Sequence, residues 1–109
     1  MDRSGYVRLV LDAYRSTPGV AGVVCRADRL LAAQLHERGV AFETVANAFV
    51  LAASRRLARP EGAAPLSTIR SLAYFSPVIA EVLESKANHQ YFDYLRLRLQ
   101  RASSSSQRQ

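Results

Sequence analysis

The stretch Leu31–Ser54, LAAQLHERGVAFETVANAFVLAAS, decides the fold. Apolar residues recur at three- and four-residue intervals on both sides of Gly39, the pattern of two amphipathic helices joined by a tight turn. The first should start near Ala27 and end near Arg38, with Leu30, Leu31, Gln34 and Leu35 on one side. Asp28 suits its first turn, and Gly39 suits the position just past its end, where a left-handed backbone favours glycine. The second should run from about Phe42 to Ala58, with Phe42, Val45, Ala46, Phe49, Val50 and Ala53 at the helical period. It is the most apolar helix of the chain and is expected at its centre.

This hairpin has the outline of a helix-turn-helix. In the twenty-residue pattern counted from Leu31, Gly39 holds the ninth place, and Val40 and Val45 hold the tenth and fifteenth. Leu35 stands at the fifth place, where a small residue lets the helices cross closely. The second helix begins Ala41-Phe42-Glu43-Thr44 and offers only Thr44 and Asn47 as early base-reading groups. An ordinary helical hairpin and a groove-reading element both remain open on this pattern.

Upstream, Val7, Val10, Leu11 and Tyr14 form the stripe of a first helix, ended by Pro18 and Gly19. Val20 to Cys25 is apolar and partly β-branched; without an obvious pairing partner it reads as a buried connector. Downstream, Arg59 to Leu66 (RPEGAAPL) is a loop. Ser67 then reads as an N-cap, with Ile69, Leu72 and Ala73 starting a fourth helix. Ser76-Pro77 either begins a separate helix bearing Ile79, Val82 and Leu83 or kinks a single one. A last helix, capped by Asn88, should reach about Arg101. The expected fold is therefore all-α: a compact bundle of about five helices with a helix-turn-helix-like hairpin. Residues 1–102 form one domain, and 103–109 form a polar, disordered C-terminal tail.

The chain has 109 residues, 49% of them hydrophobic, enough for one core. Its net charge is +6, and Lys86 is the only lysine among fifteen basic residues. The charge is concentrated. Arg55, Arg56, Arg59 and Arg70 stand against Glu61, and Arg96, Arg98, Arg101 and Arg108 stand against Asp93; the rest of the chain balances. Such a balance favours polyanions as partners.

The lone Cys25 excludes an intrachain disulfide and reads as a buried, inert thiol. The opening MDRSGYVRLVLDAYRS has no apolar signal-peptide core, and the longest apolar stretch, Val45 to Ala53, is too short to span a bilayer. A cytoplasmic, soluble protein without membrane contact is expected. His36 and His89 have no carboxylate or cysteine at metal-ligand spacing, and Glu81 and Glu84 lack a third acidic neighbour. Neither a phosphate-cradling nor a dinucleotide glycine motif is present. No catalytic residue, metal ligand, cofactor or small-molecule substrate is expected.

The candidate nucleic-acid-binding residues are Arg55, Arg56, Arg59, Arg70, Arg96, Arg98 and Arg101. The first four flank the loop and suit phosphate neutralisation; Arg55, Arg56 and Arg59 equally complement a helix C-terminus. In QYFDYLRLRLQR, Tyr91, Phe92 and Tyr94 precede Arg96, Arg98 and Arg101, a mix of stacking faces and backbone-holding cations. Tyr91, Leu95 and Leu99 equally form a core stripe. Leu51, Leu57, Phe92 and Leu97 fall off the main stripes, an apolar surplus that suits contact with other protein subunits.

The phrases Arg38-Gly39-Val40, ASRRLARP (53–60), IRSLAYFSPVI (69–79) and YFDYLR (91–96) together resemble helical C-terminal segments of bacterial replication-associated proteins of the DnaD-like type. The resemblance covers about Asp28 to Leu99. It implies a helical module that binds DNA or docks other replication factors, here without the N-terminal domain that usually precedes it. A second resemblance, in size, charge and helicity, is to the small subunits of CRISPR effector complexes, which line a nucleic-acid path without catalysis. The expected function is a non-catalytic subunit that contacts the phosphate backbone through arginines with little sequence preference, inside a larger nucleoprotein complex. The alternative is an interaction or inhibitor domain that docks another protein through an apolar helical face.

Overall fold

The computed structural model describes residues 1–60, 62–64, 66–85 and 94–102. These residues form an all-α bundle. Helices α1 (Arg3–Ser16), α2 (Arg26–Glu37) and α3 (Phe42–Leu57) are followed by a 3-10 turn, Leu72–Phe75, which runs directly into α4 (Ser76–Ser85). Residues 94–102 are helical as well. The expected cap at Asn88 and the expected disordered tail, 103–109, lie outside the described residues.

The α1 stripe folds as its spacing dictates. Asp2 caps the helix by accepting the Gly5 N–H at 2.9 Å. Tyr6, Val10, Leu11 and Tyr14 are buried. Both α2 and α3 pack on α1, and α4 packs on α3. Tyr14, Phe49 and Phe75 meet at the centre with tilted and edge-on rings, their centroids 4.8 to 6.3 Å apart.

The α2–α3 hairpin turns through Gly39, whose φ is +75°. The Gly39 N–H donates to the His36 carbonyl and the Val40 N–H to the Leu35 carbonyl, each at 3.0 Å. Leu35 and Val40 are both buried in the same apolar cluster. This is a Schellman ending with its accompanying apolar contact. The Tyr6 hydroxyl fastens it to α1 by donating to the Val40 carbonyl at 2.7 Å.

Five expectations are corrected. The inward face of α2 is Asp28, Ala32, Ala33 and Leu35, whereas Leu30 is 52% exposed and Gln34 is exposed. The helix is rotated because the Asp28 carboxylate is needed inside, where it bonds two backbone N–H groups. Small Ala32 then faces the core beside it. Secondly, the connector 20–25 is not buried: Val23 is 72% exposed, and Cys25 is an exposed free thiol. Thirdly, the connector does have a pairing partner. Val20 forms an isolated parallel bridge with Ile69, in which Ala21 N–H donates to Ile69 O (2.9 Å) and Ile69 N–H to Gly19 O (2.8 Å).

That bridge accounts for the fourth correction. Ile69 is extended, and no helix begins at Ser67; helical structure starts at Leu72. Pro77 falls in the first turn of α4, where its missing N–H leaves no bond unmade. Fifthly, Leu51 is buried against Leu95 of the C-terminal helical segment, so it is not part of an apolar surplus. Leu57 and Leu97 are exposed, and Phe92 lies outside the described residues.

Candidate nucleic-acid interface

Helix α3 is the central helix, and its position limits what it can read. Val45, Asn47, Ala48, Phe49, Leu51, Ala52 and Ala53 are all buried. Asn47, one of its two candidate base-reading groups, turns inward and accepts a hydrogen bond on Oδ1 from Arg96. Thr44 is half-buried. A helix covered along most of its length has no face to place in a groove. Any contact with nucleic acid must therefore come from the arginines at its C-terminal end and from other elements.

The seven candidate arginines fall into two kinds. Three hold the fold together. Arg55 forks onto the Glu81 carboxylate of α4, with one contact at 2.8 Å. That guanidinium holds Glu81 below the usual carboxylate range. Arg56 donates to the Ser67 carbonyl at 3.0 Å and reaches the Tyr74 hydroxyl at 3.5 Å. It thereby ties the end of α3 to the chain entering the bridge. Arg96 ties the C-terminal helical segment to α3 through Asn47.

The side chains of Arg59, Arg70, Arg98 and Arg101 make no hydrogen bond or ion pair among the described residues. Arg59 shares a groove of about 290 Å3 with Arg55, Arg56, Leu66 and Tyr74. The adjoining hollow adds Pro18, Gly19 and Leu57 around Arg56 and Arg59. A further groove, which shares Pro18 and Ala53 with that hollow, holds Arg96 and Leu99. Arg55, Arg56, Arg59 and Arg96 are thus joined along one run of concave surface. Arg70 lies apart from them, beside Ala21, Val23, Cys25 and Thr68.

On the C-terminal segment, Leu95 is buried while Arg96, Leu99 and Ala102 are half-buried. The intervals i, i+4 and i+7 place Tyr94, Arg98 and Arg101 together on a separate, exposed face. The aromatic-plus-arginine pattern of the sequence is therefore split. Leu95 serves the core, Leu99 is half-buried and lines the groove that holds Arg96, and Tyr94, Arg98 and Arg101 face solvent.

One basic groove was not singled out by sequence reasoning. Arg3, Arg8 and Arg15 of α1 and Arg29 of α2 line a groove of about 400 Å3, floored by Val7, Leu11 and Val24. In sequence these residues sit among Asp2, Asp12, Asp28 and Glu37, and the charges cancel. The fold takes two of these four acids out of the groove. Asp2 caps α1, and Asp28 is buried.

Among the described residues no three His, Cys, Asp or Glu side chains are grouped so as to hold a metal ion, and no helix is long and apolar enough to cross a membrane. His36 packs its ring against Tyr6, with centroids 5.1 Å apart. Compared with known proteins, the chain matches no protein-family model, no curated protein and no solved structure.

Proposed function

We propose that this all-α domain is a non-catalytic nucleic-acid-binding subunit that contacts the phosphate backbone through arginines with little sequence preference. The observation that carries the reading is an asymmetry between its charges. The described carboxylates are largely committed within the fold: Asp2 to a cap, Asp12 to Arg15, Asp28 to two backbone N–H groups, Glu37 to Arg3 and Glu81 to Arg55. Arg59, Arg70, Arg98 and Arg101 are matched by no carboxylate among the described residues. They are available to phosphates, and Tyr94 stands beside two of them to stack on an unpaired base.

The exposed Leu57, Leu66 and Leu97 suit neighbouring protein subunits, so the domain sits on nucleic acid within a larger assembly. A replication-type complex of the DnaD-like kind and a CRISPR effector are the two settings that the sequence resemblances suggest. Docking of another protein by the Leu57–Leu66 surface alone is the second reading, favoured by the way these two leucines flank one hollow.

Fluorescence anisotropy with labelled single-stranded and duplex oligonucleotides at low salt tests the proposal. Binding to unrelated sequences with similar affinity, weakening linearly in log salt, is the expected result. No binding of DNA or RNA in either form at low salt overturns it and leaves the protein-docking reading.

A further inference from the structure

We infer that the groove between α1 and the start of α2 is a second phosphodiester-binding site, with Arg8 and Arg29 as its ligand-holding residues. The inference rests on the nucleic-acid reading and adds to it a surface far in sequence from the arginines at the end of α3.

Four arginines, Arg3, Arg8, Arg15 and Arg29, line this groove, and among the described residues Asp12 is the only carboxylate in its lining. Two of the four are committed. Arg15 pairs with Asp12 one helical turn back, and Arg3 approaches Glu37 at 3.7 Å. Arg8 and Arg29 are exposed, and their side chains have no hydrogen-bond or ion-pair partner among the described residues. They reach the groove from different helices, α1 and α2, and the Ser4 hydroxyl lines it beside them. Two guanidinium groups borne by different helices, in a groove also lined by Val7, Leu11 and Val24, offer planar forks that suit a phosphate oxygen pair.

The ligand chemistry follows from the lining and the charge. The groove is open and of about 400 Å3, with apolar area between its cations. A chain of phosphodiesters brings charge at spaced intervals with apolar sugar faces between. A compact free anion would use the charge and leave the apolar floor empty. The groove sits on the opposite flank of α1 from Ala13, Ser16 and Thr17, which line the hollow holding Arg96. Nucleic acid held at both places must pass around α1 or be gripped on two strands.

The test compares the full chain with an Arg8→Gln/Arg29→Gln variant in the anisotropy assay, over a salt series, with circular dichroism to confirm an unchanged fold. If the groove holds backbone phosphates, the slope of log affinity against log salt becomes shallower by about 1.4 on single strands and about 1.8 on duplex. Arg8→Lys/Arg29→Lys should restore most of that slope. If the parent protein binds and the variant keeps its slope, the groove site is overturned while the nucleic-acid reading stands. If the parent does not bind at all, both fall. In a parallel titration followed by NMR, inorganic phosphate should perturb the Arg8 and Arg29 resonances only at far higher phosphate concentration than the oligonucleotide does. Saturation by inorganic phosphate at equal phosphate concentration identifies a small-anion site and overturns the phosphodiester assignment.

Discussion

Asp28 accepts a hydrogen bond on Oδ1 from the backbone N–H of Leu72, 44 residues further along the chain, at 2.9 Å. Its other oxygen takes the Cys25 N–H at 3.0 Å. One carboxylate, 1% exposed, thus caps the start of α2 and fixes the first residue of the 3-10 turn. Burial alone would raise its pKa. The backbone N–H groups of Cys25 and Leu72, aided by the Cys25 thiol, outweigh that and hold it below the ordinary value. Asp28→Ala leaves both N–H groups unpaired and should cost about 3 kcal/mol in urea unfolding. Asp28→Asn retains one acceptor and should cost less.

The pH dependence follows in sign. A carboxylate whose folded-state pKa lies below its unfolded value stabilises the fold fully above the unfolded value, near 4. That stability is lost as pH falls through the lower, folded-state value. Urea melts of the parent protein should therefore weaken below about pH 4, and Asp28→Asn should remove part of that acid limb. An acid limb of unchanged steepness in Asp28→Asn would show that other carboxylates, Glu81 with its Arg55 fork among them, govern acid stability.

Asp28 also marks the limit of what the sequence made legible. Helices α1 and α3 follow from apolar spacing because, Asn47 apart, their inward faces are built of apolar and aromatic residues. The face of α2 does not, since a periodicity search counts Leu30 and Leu31 and cannot foresee a carboxylate turned inward to serve a residue 44 positions away. The Val20–Ile69 bridge was hidden for the same reason: it is non-local, and neither segment alternates as a strand does. The α1 groove was hidden by local charge balance, because capping by Asp2 and burial of Asp28 take two acids out of its lining and leave Asp12 against four arginines. The outward face of Tyr94, Arg98 and Arg101 was visible as a motif. Its separation from Leu95 and Leu99 follows directly from helical spacing.

Tyr14 gives a stabilising prediction. Its ring is fully buried at the centre of the core, and its hydroxyl has no hydrogen-bond partner among the described residues. Burial raises its pKa, and the nearby Asp28 and Cys25 push in the same direction. An unpaired buried hydroxyl carries its desolvation cost without return. Tyr14→Phe keeps the ring contacts with Phe49 and Phe75 and removes the cost. It should raise stability by about 1 kcal/mol, seen as a rise of roughly 4–8 °C in Tm for a domain of this size. A lower Tm would mean that the hydroxyl has a partner, such as a buried water, that stabilises it.

Gly19 and Gly39 separate two costs of adding a methyl group. Both have positive φ, +93° and +75°. A Cβ at Gly39 meets nothing within 4 Å among the described residues, whereas one at Gly19 would lie 3.0 Å from Nε of Arg56. Gly39→Ala should therefore show the backbone cost alone, about 1 kcal/mol. Gly19→Ala should cost more, because Arg56 must move and release the Ser67 carbonyl beside the Ile69 bridge. Thermal melts of the two variants, with hydrogen exchange at the Ile69 amide, make the comparison. Equal melting temperatures would show that Arg56 yields without loss.

The division of the arginines gives the prediction that bears most directly on function. If Arg59, Arg98 and Arg101 hold phosphates, each alanine variant should flatten the log-affinity-against-log-salt slope by about 0.7 to 0.9 while Tm stays where it was. Arg55 and Arg96 are already bonded to Glu81 and Asn47, so losing them removes an internal contact first. Arg96→Ala should speed amide exchange across residues 94–102, because its bond to Asn47 holds that segment on α3. Arg55→Ala should lower Tm slightly, an exposed ion pair being worth little, and should leave the salt slope nearly unchanged. A uniform loss of slope across all five variants would mean that affinity depends on total charge, because only then would the internally bonded arginines count as much as the open ones.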